Sequence, residues 1–311
     1  MFKYIFLVVF LVIITGCQKE NKGDSLTIAV TILPQEEFVK EIVGDNVEII
    51  TIIPPGYSPE NYELTPKQLS NIIDADLYFA IGLASENNII SQIEKLNPDL
   101  NIIHLDEEVR KVYEDRYFED DVEYFEEDEH NGHDHDADHN DEEHTHEGRD
   151  PHIWLSPRRV KIIVSKMKDE LIDINPNRKE IIEENAEKYI KKIDELDVSI
   201  KSTINEMEQK AFIIYHPSLG YFADDYNLEM INIEKEGKEA SSRHLERVID
   251  IAKEKDIKFV FYQSEFDKAQ PETIADVLGG EAIELNPLAS NYLENMEEIA
   301  NTFKEVLAMK E

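Results

Sequence analysis

The chain has 311 residues, with 32 Lys and Arg against 68 Asp and Glu, a formal net charge of −36 and a single cysteine. That length supports one large or two ordinary α/β domains with real cores. The acidic balance excludes the basic footprint of a nucleic-acid binder, and a lone cysteine excludes a disulfide framework or a thiolate metal cage.

Met1-Phe2-Lys3 precedes an apolar run from Tyr4 to Ile14, shorter than the roughly 20 residues a bilayer span needs. A basic start, a short apolar centre and small residues after it describe a secretory signal over residues 1–16. Ile14-Thr15-Gly16-Cys17 resembles a bacterial lipobox, which implies that Cys17 becomes the lipidated first residue of the mature chain. Residues 17–24 then form a polar tether, and the protein is extracytoplasmic, anchored by lipid to the cell membrane.

From Ser25 onward strand-like and helix-like segments alternate. Strands are predicted at Leu26–Ile32, Val47–Ile53, Leu77–Ile81 and Ile102–Leu105. Helices are predicted at Glu36–Val43, from Thr65 with Pro66 in its first turn, and at Glu86–Leu96. Such alternation predicts a mostly parallel, doubly wound sheet. It is interrupted between Glu114 and Asp150, where 18 acidic residues face two Arg. A stretch this polar cannot bury enough apolar surface to fold on its own. It carries His130, His133, His135, His139, His144 and His146, an array of imidazoles and carboxylates suited to loose capture of Zn²⁺ or its neighbours.

Asp150-Pro151-His152-Ile153-Trp154-Leu155-Ser156-Pro157 follows, and its Ser156-Pro157 is a good cap and first position for a helix. Next, Ile182, Ala186, Tyr189, Ile193, Leu196, Ile200 and Ile204 keep an apolar stripe at steps of three and four. This predicts one helix over residues 177–207, roughly 30 residues or about 45 Å long. A second alternating block has strands at Ala211–Tyr215, Leu228–Ile233, Ile257–Tyr262 and Ala282–Leu285, with helices at Ser242–Lys255, Pro271–Leu278 and Tyr292–Met309. The predicted organisation is an N-terminal lobe over 25–176 that includes the acidic 114–149 loop, a linking helix over 177–207, and a C-terminal lobe over 208–311.

Three places converge on metal chemistry: His152 before a helix start, His216 in Tyr215-His216-Pro217 at the carboxyl end of a strand, where open α/β sheets place ligands, and Pro59-Glu60-Asn61-Tyr62-Glu63-Leu64-Thr65-Pro66. In these segments the chain resembles the substrate-binding lipoproteins of metal-ion ABC importers, the zinc/manganese class with a rigid linking helix. DPHIWLSP matches that family's DPHxWLSP, YHPSLGYFADDYNL its H-x-x-x-x-Y-F-x-x-x-Y-G-L segment, and PENYELTP its P-H-x-Y-E-P-T-P.

The resemblance implies two doubly wound α/β lobes joined by one long rigid helix, with the metal in the interlobe cleft. It carries ligand roles onto His152 and His216, and onto Glu60 where the family usually has His. Gln263, Asn291 and Glu63 are candidates for a fourth ligand or a supporting contact. The implied partners are an ABC permease and its ATPase, with Zn²⁺ as the transported ion, Mn²⁺ as the alternative, no nucleic acid and a monomeric state. Because His ligates only when neutral, affinity is expected to fall below about pH 6.5.

Competing readings are a secreted metalloenzyme, an adhesin and a plain metal buffer. The first lacks a His-Glu-x-x-His motif, since His146-Glu147 is followed by His only at 152. His104 is assigned to packing or surface, and His244 to a solvated helix face.

Overall fold

The structure is a computed structural model that describes residues 26–45, 47–118, 148–234 and 240–307. Cys17 and the six loop histidines between His130 and His146 lie outside them. Two four-stranded sheets, parallel throughout, flank one long helix.

The first half runs β1 (Leu26–Val30), α1 (Pro34–Val43), β2 (Val47–Thr51), α2 (Pro66–Ile72), β3 (Leu77–Ala80), α3 (Ala84–Leu96), β4 (Ile102–His104), α4 (Leu105–Arg110) and α5 (Pro157–Ile174). Its sheet order is β2-β1-β3-β4. The registers Ile28↔Ile49 and Ile28↔Leu77 align apolar residues across it. The linking helix α6 (Lys179–Asn205) is followed by β5 (Ala211–Ile214), α7 (Gly220–Tyr226), β6 (Glu229–Asn232), α8 (Ser242–Glu254), β7 (Val260–Gln263), α9 (Ala269–Leu278), β8 (Ala282–Leu285) and α10 (Tyr292–Leu307). The second sheet has order β6-β5-β7-β8.

In both sheets the chain leaves the first strand to one side and later returns on the other. This creates a switch point where strand-end loops diverge and leave room for a ligand. β8 matches its prediction residue for residue, β7 starts three residues late and ends one residue later, at Gln263, and the other strands are trimmed by one or two residues. The largest trim is at β7, because Asp256 takes φ 54 and Ile257 closes back onto the Ala252 carbonyl instead of extending. α6 starts at Lys179, not 177, because Pro176–Arg178 forms a 3-10 turn. The short α4 and α7 have no counterpart among the predicted elements; one or two turns are too few to show a periodicity.

α6 spans 27 residues, about 40 Å. Its buried residues are the seven of the predicted stripe, Ile182 through Ile204. It packs on α1 and α5 of the first lobe and on α10 of the second, so the larger of two apolar clusters runs through both lobes, while the smaller one lies within the second lobe. Phe38 of α1 meets Tyr292 of α10 edge-on at 5.0 Å, and Tyr189 of α6 donates to Glu37 Oε1 at 2.8 Å. Across the cleft, Trp154 Nε1 donates to the Pro287 carbonyl at 3.0 Å. Among the described residues no helix is long and apolar enough to cross a membrane.

Candidate metal centre

Each side chain of the cleft is aimed by a local backbone device. Glu60 sits on a one-turn 3-10 helix, Pro59–Asn61, whose cap Ser58 accepts from the Glu60 amide at 3.4 Å. Ser85 of α3 donates to the Pro59 carbonyl at 2.7 Å and fastens that turn to the first lobe. His152 precedes the 3-10 turn Ile153–Leu155, after which Ser156 caps α5 by accepting from the Arg159 amide at 3.2 Å. Ser156 also donates to Asp225 Oδ2 of α7 at 2.5 Å, so the histidine's support reaches both lobes. His216 follows β5, beside the β5/β7 switch point. Asn227, where the family motif carries Gly, takes φ 59, a left-handed conformation that Asn tolerates better than most residues.

These three side chains converge. Glu60, His152 and His216 each offer one ligand atom, all within 4.8 Å of one another. The two Nε2 atoms of the histidines are 3.4 Å apart, and Glu60 Oε1 lies 3.1 Å from His216 Nε2. Both imidazoles are 3% exposed, so water competes poorly for their nitrogens.

Each histidine has its far nitrogen on a carboxylate. His152 Nδ1 lies 2.8 Å from Asp150 Oδ1, and His216 Nδ1 lies 2.9 Å from Glu234 Oε2. A carboxylate on Nδ1 fixes the ring and raises the basicity of Nε2, the arrangement that supports metal-ligating histidines. Phe266 stacks on His216 at 4.9 Å and Trp154 leans on His152 at 5.1 Å, which closes the rings' apolar sides.

Burial disfavours charge on His216, but the hydrogen bonds it donates to Glu234 and Glu60 and their negative charge outweigh it and push its pKa up to about 9. Burial likewise opposes charge on Glu60, and its hydrogen bond to His216 with the nearby imidazoles holds its carboxyl below the ordinary value. Without metal, His216 is therefore an imidazolium at neutral pH, wedged between two carboxylates.

The remaining candidates fall elsewhere. Gln263 is buried at the end of β7, where its Nε2 donates to the His216 carbonyl at 2.7 Å and to Ser218 Oγ at 2.6 Å. It braces the backbone of a candidate ligand instead of facing the candidate ligand atoms with that nitrogen. Its Oε1 has no hydrogen-bond partner among the described residues. Asn291 is exposed and donates to Glu294 at 2.8 Å, on the wall of a neighbouring cavity of about 290 Å³ that Ser264, Glu265 and Leu288 also line. Glu63 is exposed and stands outside the cluster. His104 is exposed, while His244, expected to be solvated, is half-buried with Nε2 3.0 Å from the Asn232 carbonyl.

Sequence reasoning passed over Glu234. Its available signal was an acid just beyond a strand adjacent to the one that delivers His216; Glu234 N donates to the Tyr215 carbonyl at 2.8 Å and so fixes that adjacency.

Residues 28–306 match the family described as zinc-uptake complex component A, periplasmic (ZnuA). The chain is 28% identical over 305 residues to the zinc-binding lipoprotein AdcA of Streptococcus pneumoniae, covering 94% of this chain but only 58% of that protein. It is equally similar over 303 residues to the high-affinity zinc uptake system protein ZnuA of Bacillus subtilis, covering 94% of this chain and 90% of the relative. A zinc-bound ZnuA deletion mutant superposes with a TM-score of 0.79 at 28% identity, over 93% of this chain and all of the other.

Proposed function

The chain belongs to the family of periplasmic zinc-uptake components, and on that premise we propose that it is the extracytoplasmic solute-binding protein of an ABC importer, capturing Zn²⁺ and delivering it to a membrane permease served by an ATPase. Cys17, acylated, would anchor it to the membrane. The observation that carries the reading is the pair of buried carboxylate–histidine dyads that converge with Glu60 on one point. Two imidazole nitrogens and one carboxylate oxygen form a donor set that suits zinc, and three protein ligands leave a fourth position for water or another donor. The carboxylate that replaces the family's third imidazole moves the site toward harder ions, so Mn²⁺ is the competitor to measure.

In this scheme the acidic segment with His130, His133, His135, His139, His144 and His146 collects metal near the cleft, and Glu60, His152 and His216 hold it. Calorimetric titration of Zn²⁺ and Mn²⁺ into the mature protein, and into a variant with 119–147 replaced by a short Gly-Ser turn, tests this. One tight zinc site should survive the replacement while weaker sites vanish. Tight manganese with weak zinc would reassign the cargo, and loss of all binding with the segment would reduce the protein to a buffer.

A further inference from the structure

Asp150 is fully buried, and only one of its carboxylate oxygens is occupied by His152. The other, Oδ2, takes a hydrogen bond from Arg116 Nη1 at 3.2 Å. Arg116 does more than neutralise a buried acid. Its Nε donates to Asp224 Oδ2 at 3.2 Å and its backbone amide to Tyr221 Oη at 3.0 Å, and both partners lie on α7 of the second lobe. Tyr221 in turn donates to the Asp150 carbonyl at 3.0 Å and is held from above by Arg159, 4.3 Å over its ring.

Gly220 makes the approach possible: a Cβ there would lie 2.5 Å from Arg116 Cζ and 2.6 Å from Asp150 Oδ2. Arg116 and Asp150 are also paired along the backbone. Asp150 N donates to the Arg116 carbonyl at 2.8 Å, Phe118 N to the Gly148 carbonyl at 2.7 Å, and Tyr117 bridges Arg149 antiparallel. This short neck holds together the two ends of the 119–147 segment.

We propose that Arg116 is a positioning residue for the metal site: it locks Asp150 in the orientation that fixes the His152 imidazole, and it ties that dyad to the second lobe through Asp224 and Tyr221. A buried carboxylate oxygen without a partner is costly, so without the guanidinium Asp150 turns to find another donor and takes His152 with it. The planar fork of Arg reaches two carboxylates at fixed angles, which a Lys ammonium cannot reproduce. The inference rests on the cleft being the zinc site.

The test compares wild type, R116Q, R116K and D224N by zinc affinity and by the visible absorption of the Co²⁺-loaded protein, which reports ligand geometry. R116Q is expected to bind zinc roughly 10–100-fold more weakly, the usual cost of losing an outer partner, with a shifted cobalt spectrum. R116K should recover part of the affinity, and it decides the matter if R116Q does not fold. D224N should weaken binding less than R116Q, because Asp224 is 60% exposed and Tyr221 still holds the Arg116 backbone. A variant that shortens 119–147 but keeps the neck should match wild type in the cleft. Wild-type affinity and an unchanged cobalt spectrum in R116Q or R116K would overturn the proposal. So would R116K no better than R116Q with an unaltered spectrum, or loss of cleft binding in the shortened variant. Wild-type zinc binding that ignores loss of His152 and His216 would instead sink the reading of the cleft itself.

Discussion

At the scale of single residues, a proton occupies the place a cation would take. His216 is protonated up to about pH 9 because Glu234 and Glu60 flank it, so on the proposed function zinc has to displace that proton. Binding at neutral pH should release it, and apparent affinity should climb about tenfold per pH unit between roughly 6.5 and 9. Titrations in buffers of different ionisation enthalpy would count the proton, and an affinity flat above pH 7 would contradict the assignment. The fall first expected below about pH 6.5 thus begins much higher. Stability of the metal-free protein runs the other way. A raised folded-state pKa contributes stability that is complete below about 6.5 and is lost as pH rises through about 9. H152A and H216A should each lose more zinc affinity than E234Q, for which roughly a 10–100-fold loss is expected. E60H should widen the preference for zinc over manganese.

At the scale of elements, the frame that carries the candidate ligands depends on close packing away from the site. Gly280, between α9 and β8, has no room for a side chain, since a Cβ would sit 1.8 Å from the Lys258 carbonyl oxygen. G280A should destabilise the second sheet by about 1–3 kcal/mol, read as a lower urea midpoint at unchanged slope. Phe38→Ala should cost about 3–5 kcal/mol and act on both lobes at once, because the ring touches Tyr189 of α6 and Tyr292 of α10. Two separate unfolding transitions in that variant would show that the lobes do not share a core.

Most of these elements were legible beforehand. The seven stripe residues of α6 are its buried face, and α2 starts at Thr65 with Pro66 in its first turn as the turn chemistry required; the reciprocal contact of Gln68 with Thr65 was not foreseen. What stayed hidden was long-range pairing. Asp150 and His152 are two apart in sequence, but Glu234 reaches His216 across 18 residues and Arg116 reaches Asp150 across 34. No local pattern announces such a contact until strand order is known. The same limit explains Gln263: its place at a strand end was readable, but not that its amide would turn to the His216 carbonyl.

At the scale of the whole molecule, the two sheets are stitched together at the α1–α6–α10 junction and again at Trp154 and Pro287. Small-angle scattering curves of the zinc-free and zinc-loaded protein should therefore overlay. A marked contraction on loading would mean that the lobes swing about α6. The formal charge of −36 adds a diffuse pull on cations that salt screens within about 10 Å at 0.1 M, so capture rates should fall with ionic strength more than the final affinity does.

The stitching has a cost that falls at the other end of the cycle. A container whose two walls share one core has no spontaneous lid motion with which to spill its contents. In the free protein, escape of the ion must wait for ligand bonds to break one by one against buried, pre-aligned imidazoles. Its residence time should then be long and nearly independent of solution viscosity. If the chain is the carrier proposed above, unloading becomes the task of whatever surface grips both lobes and wrenches them apart, and the clock for transport then belongs to that docking partner.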